Sequence, residues 1–191
     1  DNNYIFRSEI KATGLVALIW KDHIVEVSNW NISGSNLVPL TYTYRRTGGK
    51  KERDVEIDFD WDRGKIINRV NDSLWYMETQ PGILDKLLYQ LAIMVDLKSG
   101  KNPTRYIIAD GGKIKEYFFE RIKDEVIETP IGNFNTIKLA RYKKNKEETF
   151  LWCAYELGFL PIKVITKEKD GKLSRAIIKS IKGFKYKQKD N

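Results

Sequence analysis

The chain is predicted to be mainly β, a curved antiparallel sheet or barrel-like half-barrel with one buried helix at about residues 83–97. Three observations carry that prediction. Asp54 to Trp61 (DVEIDFDW) alternates strictly, with Val55, Ile57, Phe59 and Trp61 on one face and four carboxylates on the other. Short apolar segments of this kind recur along the chain, separated by residues that favour tight turns. Only one stretch, PGILDKLLYQLAIMVDL at Pro81 to Leu97, has helical periodicity, from Leu84, Leu87, Leu88, Leu91, Met94 and Val95. Ile93 and Leu97 widen its apolar face until only Asp85, Lys86, Tyr89, Gln90 and Asp96 remain for water or a partner, so the helix should be mostly covered.

In order, Tyr4 to Lys11, Leu15 to Trp20 and Ile24 to Trp30 read as strands, followed by a loop at Asn31 to Asn36. Pro39 to Arg46 alternates aromatic and polar residues, and the Thr47-Gly48-Gly49-Lys50 turn joins it to the acidic strand as a hairpin. Asp62-Arg63-Gly64 turns the chain into Lys65 to Val70. After the helix, Gly100 and Pro103 are stop signals. Tyr106 to Ala109 and Lys113 to Ile122 flank an Asp110-Gly111-Gly112 turn. Glu125 to Glu128, Phe134 to Tyr142, Glu148 to Ala154, Pro161 to Lys167 and Leu173 to Ile181 complete the strands. Regular short strands with tight separators suit a barrel or sandwich, whose curvature protects sheet edges.

With 191 residues the chain suits one domain, drawn over 1–184 with a flexible basic tail at 185–191, or two small ones. Its 41% apolar and 12% aromatic content is ample for a core and excludes disorder for most of the length. The net charge of +8 raises nucleic acid as a partner. Lysines alternate with acids in most segments, however, and only Arg141 to Lys146 and Lys182 to Lys189 are locally basic, so no nucleic-acid partner is expected. The single Cys153 forms no internal disulfide and fits a buried hydrophobe. No segment reaches the roughly 20 apolar residues of a transmembrane helix. The chain begins at Asp1, as a removed export signal or a chosen boundary would leave it.

No motif rises to a catalytic, metal or cofactor assignment. Asp54, Glu56, Asp58 and Asp60 lie roughly 7 Å apart along one strand face, a spacing open to acid–base work or calcium. Arg45, Lys50, Lys51 and Arg53 across the hairpin make a solvated, salt-bridged face the stronger reading, and a hydrolase there a distant alternative. His23, the single histidine, reads as an exposed turn residue without a nucleophile elbow elsewhere to serve. Asp110-Gly111-Gly112-Lys113 lacks the spacing of a phosphate loop. Five tryptophans are many for this length, and inward ones either fill a core or line a ligand cavity.

Several stretches together resemble one family. They are Ala12-Thr13-Gly14-Leu15, Pro39-Leu40-Thr41-Tyr42 to Arg45, Phe59-Asp60-Trp61, Gly82 to Leu87 with Tyr89-Gln90-Leu91, and Asp110-Gly111-Gly112-Lys113. Thr129-Pro130-Ile131-Gly132 with Lys138, and Leu151-Trp152 through Glu156-Leu157 to Leu160-Pro161, belong to the same set. This order of motifs is similar to the bacterial family called domain of unknown function 3108, and it runs over nearly the whole chain. Tyr155 departs from the pattern, which places a proline before Glu-Leu. The resemblance implies an exported, periplasmic envelope protein of Gram-negative bacteria with its signal sequence removed, and it brings no activity. By analogy of fold it suggests a non-enzymatic binding protein whose concave sheet holds an apolar or lipid-like ligand, lined by Trp61, Trp75, Leu87, Leu91 and Trp152. The alternative is a solid-cored envelope assembly protein that docks on a protein partner or an anionic surface.

Overall fold

The computed structural model describes residues 3–11, 22–49, 52–143, 146–167 and 171–182. The strand expected at 15–20, the turn at 144–145 and the tail at 185–191 lie outside them. The chain groups into two compact units, Asp1–Tyr89 with Tyr106–Glu116, and Gln90–Arg105 with Tyr117–Asn191. Each has its own apolar cluster.

The first unit is an antiparallel meander, β1 (Tyr4–Lys11), β2 (His23–Ser33), β3 (Asn36–Thr47), β4 (Arg53–Asp60), β5 (Lys65–Val70) and β6 (Ser73–Glu78), each strand paired with the next. Alternation in β4 is realised as predicted, with Val55, Ile57 and Phe59 buried. Trp61 falls just beyond the strand, in the turn. The loop expected at Asn31 to Asn36 shrinks to a turn at Gly34, because β2 and β3 keep pairing out to Ser33 and Asn36. His23 is the first residue of β2, not a turn residue, with Nε2 2.8 Å from Glu9 Oε1. β6 has no counterpart in the sequence reading; its exposed apolar residues Leu74, Trp75 and Tyr76 break the expected alternation.

The segment predicted as one helix splits. Ile83–Asp85 forms β7, which pairs in parallel with β8 (Arg105–Ala109) through Ile83↔Ile107, Leu84↔Ile108 and Asp85↔Ala109. The helix, α1, is Tyr89–Lys98. The Asp85 carboxylate causes the break, since its Oδ1 accepts the backbone N–H groups of Leu87 and Leu88 at 2.8 and 2.7 Å and holds a turn there. The predicted faces shift as well: Asp85 and Tyr89 are buried, whereas Val95 is exposed. Tyr89, Ile93 and Leu97, four residues apart, form the covered stripe of the helix.

In the second unit β9 (Ile114–Thr129), β10 (Gly132–Lys143), β11 (Lys146–Ala154), β12 (Leu160–Lys167) and β13 (Leu173–Ile177) form another antiparallel meander. β9 begins in the first unit and is continuous where two strands were expected; a register shift opposite Lys138/Leu139 absorbs the irregularity. β10 and β11 are buried on both faces, Phe134, Ala140, Trp152 and Ala154 on one and Ile137, Leu139, Leu151 and Cys153 on the other. Burial pushes the Cys153 thiol up to about 12, so it packs as a protonated hydrophobe. A 3-10 turn at Tyr155–Leu157, closed by Gly158 in the left-handed region, starts where the family pattern would have proline. Among the described residues no helix is long and apolar enough to cross a membrane.

Candidate functional site

Antiparallel register puts Phe6, Ser28, Tyr42, Ile57, Asn68 and Trp75 in one cross-strand row of the first unit, and Ser8, Glu26, Tyr44, Val55, Val70 and Ser73 in the next. Arg46 and Arg53 pair in the row beyond. Against this face lie β7 and its turn, and the turn after β8. Where they meet the rows, the unit buries Ser28, Asn68 and Asp85 among its apolar residues.

Asp85 is fully buried, and Ser28 Oγ donates to its Oδ2 at 2.5 Å. Burial pushes its pKa up to about 6, against the pull of the Ser28 and backbone hydrogen bonds. Beside it, the Tyr42 hydroxyl donates to Glu26 Oε1 at 2.5 Å. Burial, then the Glu26 charge, pushes this phenol far up, so it stays a proton donor throughout the working pH range. Lys86 Nζ lies 3.9 Å from Glu26 Oε1 and 5.2 Å from the Tyr44 ring centroid.

These groups lead to a pocket of about 130 Å³ lined by Tyr42, Tyr44, Arg46, Arg53, Val55, Lys86, Asp110 and Gly111. Its lining brings together two tyrosines, three cations and the Asp110 carboxylate, which pairs with Lys115 at 2.6 Å. Arg46 is steadied from behind, its Nη2 donating to the buried Asp22 carboxylate at 2.5 Å. A Cβ on Gly49 would stand 1.6 Å from Asp22 Oδ1, so that close approach requires glycine. The turn after β8 closes the other side. Gly112 N donates to Asn68 Oδ1 at 2.9 Å, and a Cβ on Gly111 (φ +59) would come within 2.9 Å of Arg53 Nη2. Asp110-Gly111-Gly112 is thus a hairpin turn, as expected, but its glycines also let Arg53 and Trp75 approach the backbone.

The expected ligand-lining residues sit elsewhere. Leu87 (1% exposed) and the half-buried Trp61 belong to the packed cluster of the first unit; Trp61 Nε1 donates to the Pro39 carbonyl at 2.8 Å. Trp75 is 43% exposed on β6, its ring beside Gly112. In the second unit, Leu91 is half-buried on α1, and Trp152 lies in the apolar cluster with Nε1 donating to Glu125 Oε1 at 2.7 Å. None of the five lines the cationic pocket.

The acidic face of β4 borders a cleft of about 360 Å³. Asp54 pairs with Arg45 at 2.9 Å, Glu56 with Arg69 at 3.3 Å and Asp60 with Arg63 at 3.5 Å. Among the described residues no three His, Cys, Asp or Glu side chains are grouped to hold a metal.

The residues that sequence reasoning missed are Asp85, Ser28, Tyr42, Arg46, Arg53 and Lys86. The available signal was a charged Asp-Lys pair inside an otherwise apolar run, read as a wet helix face.

A family model described as a protein of unknown function (DUF3108) matches residues 1–177. The chain belongs to the DUF3108 family. A solved structure, the β-barrel-like protein of the domain of unknown function DUF1849 from Brucella abortus, matches with a TM-score of 0.53 at 6% identity, covering 83% of this chain and 73% of that one. At that identity the match shows the fold alone, mainly β and barrel-like as the sequence predicts. No curated protein matches the DUF3108 chain.

Proposed function

We propose that this DUF3108 protein is a non-enzymatic binding protein of the periplasm that recognises the anionic head of a lipid-like ligand. The observation that carries the reading is the pocket of the first unit, which Arg46, Arg53 and Lys86 line together with Tyr42 and Tyr44. Guanidinium groups match carboxylate and phosphate oxygens in pairs, and aromatic rings tolerate the first methylenes of a chain. The family resemblance supports the location. The chemistry of Asp85 supports the non-enzymatic reading: its raised-pKa carboxyl is sealed from solvent and engaged by three donors. Leu87 and Trp61 belong to filled packing, which favours recognition of a head group over enclosure of a whole acyl chain.

Titration with dodecyl phosphate below its micellar concentration tests this, with dodecyl maltoside as the uncharged control. The protein should bind the phosphate selectively, and Arg53→Gln with Lys86→Gln should weaken binding roughly tenfold or more, as loss of two charge-assisted contacts implies. Equal binding of both detergents, or an unchanged double variant with an unchanged melting curve, would overturn the assignment.

A further inference from the structure

The second unit carries an unrelated cationic feature. Register aligns Lys123, Lys138, Trp152, Lys163 and Ile177 in one row across β9 to β13. Lys138 Nζ sits 4.6 Å from the Phe150 ring centroid and 5.0 Å from that of Trp152, and Lys163 Nζ sits 4.6 Å from Trp152. The Glu125 carboxylate, two residues along β9 from Lys123, is already engaged: it accepts from Trp152 Nε1 at 2.7 Å and pairs with Lys123 at 2.8 Å. Those contacts, Lys123 first and then Trp152, together with the nearby Lys138 charge, hold its carboxyl below the usual range. Among the described residues neither Lys138 nor Lys163 has a carboxylate within salt-bridge distance.

Two half-buried lysines thus lie against rings, without a salt-bridge partner of their own. The same face continues onto β13, where Leu173, Arg175 and Ile177 alternate with their neighbours and are all exposed. Basic and apolar side chains therefore share one surface, with the Lys138 and Lys163 ammonium groups over the Phe150 and Trp152 rings.

We infer that this face docks on the phosphate headgroups of an anionic lipid bilayer. Charge complementarity selects the occupant: lysine ammoniums are point charges that accept mobile phosphates without demanding one geometry, and they act together near a negatively charged leaflet. Leu173 and Ile177 give the apolar fringe that a membrane interface accommodates and a free phosphate does not use. The inference stands on different residues from the pocket of the first unit.

Co-sedimentation with vesicles tests it, using phosphatidylcholine alone against phosphatidylcholine mixed with phosphatidylglycerol. The protein should partition to the anionic vesicles, and Lys138→Gln with Lys163→Gln should weaken that partition roughly tenfold or more, while Lys→Arg at both positions retains it. Lys98→Gln with Lys101→Gln, equal in charge and exposed at the end of α1, should change it much less. Acylation footprinting read by mass spectrometry should show Lys138 and Lys163 protected by anionic vesicles. Equal loss in both glutamine pairs, no preference for anionic vesicles, or abolition by inorganic phosphate at constant ionic strength would overturn the bilayer assignment. Dodecyl phosphate affinity should be untouched by Lys138→Gln with Lys163→Gln, so failure of either reading leaves the other standing.

Discussion

In the first unit two of the three pocket cations face carboxylates, Arg46 on Asp22 and Lys86 on Glu26, with Lys86 also over the Tyr44 ring. In the second unit Lys138 and Lys163 lean on the rings of Phe150 and Trp152. The difference lies in what remains available to a ligand. A carboxylate partner orients a cation but cancels much of its field, so a ligand must be read by geometry within a small pocket. A ring partner orients it through the quadrupole and leaves the charge whole, which suits a broad, loosely defined anionic surface.

The strongest way to break this contrast is Trp152→Ala. Removing a buried indole should cost about 3–5 kcal/mol in urea unfolding, and it leaves Glu125 with Lys123 as its partner. In the surviving native state both lysines should become more reactive towards acylation. The counterpart in the first unit, Tyr44→Leu, should leave Lys86 much less affected, because Glu26 still faces it. Equal loosening in the two variants would mean that rings and carboxylates position these lysines alike, and the contrast would fail.

How much was legible beforehand follows the same division. Strands declared themselves wherever one face met the core, as Val55, Ile57 and Phe59 show. β6 did not, because Leu74, Trp75 and Tyr76 are apolar and exposed in succession, so alternation is lost although Met77 packs on the core. The helix was misplaced at its start because Ile83, Leu84, Leu87 and Leu88 satisfy helical spacing although β7 and a turn share them. One carboxylate decides the matter, and periodicity counts Asp85 only as polar. The pocket was illegible for a related reason: its residues come from β3, β4 and the two turns that follow β7 and β8, and only long-range pairing unites them. Of the five tryptophans, the sequence could say that some were interior but not that Trp152 would carry lysines on its ring.

Asp85 sharpens the comparison from the carboxylate side. Its folded pKa of about 6 lies above the unfolded value of about 3.9. A raised carboxyl pKa means that its contribution to stability is full below about pH 4 and is lost as pH rises through about 6. Relative to Asp85→Asn, the wild-type protein should therefore lose about 2–3 kcal/mol of stability between pH 4 and pH 7. Paired urea titrations across that range check it. The opposite slope would show that Ser28 and the two backbone donors outweigh burial and hold the carboxylate ionised.

The smallest expected effect is the most selective. Gly111 and Gly158 both sit in the left-handed region, at φ +59 and +63, so alanine at either should cost about 1 kcal/mol from backbone strain alone. A Cβ at Gly158 meets open space, whereas one at Gly111 meets Arg53 Nη2 at 2.9 Å. Arg53 is exposed and can swing away, so the extra stability cost of Gly111→Ala should be only a few tenths of a kcal/mol. Displacing that guanidinium from the pocket wall should nevertheless lower dodecyl phosphate affinity several-fold, while Gly158→Ala leaves it unchanged. The difference between the two variants cancels the shared strain and isolates the Arg53 contact. If dodecyl phosphate bound both equally well, Arg53 would be an ornament of the pocket, and recognition would rest on Arg46 and Lys86.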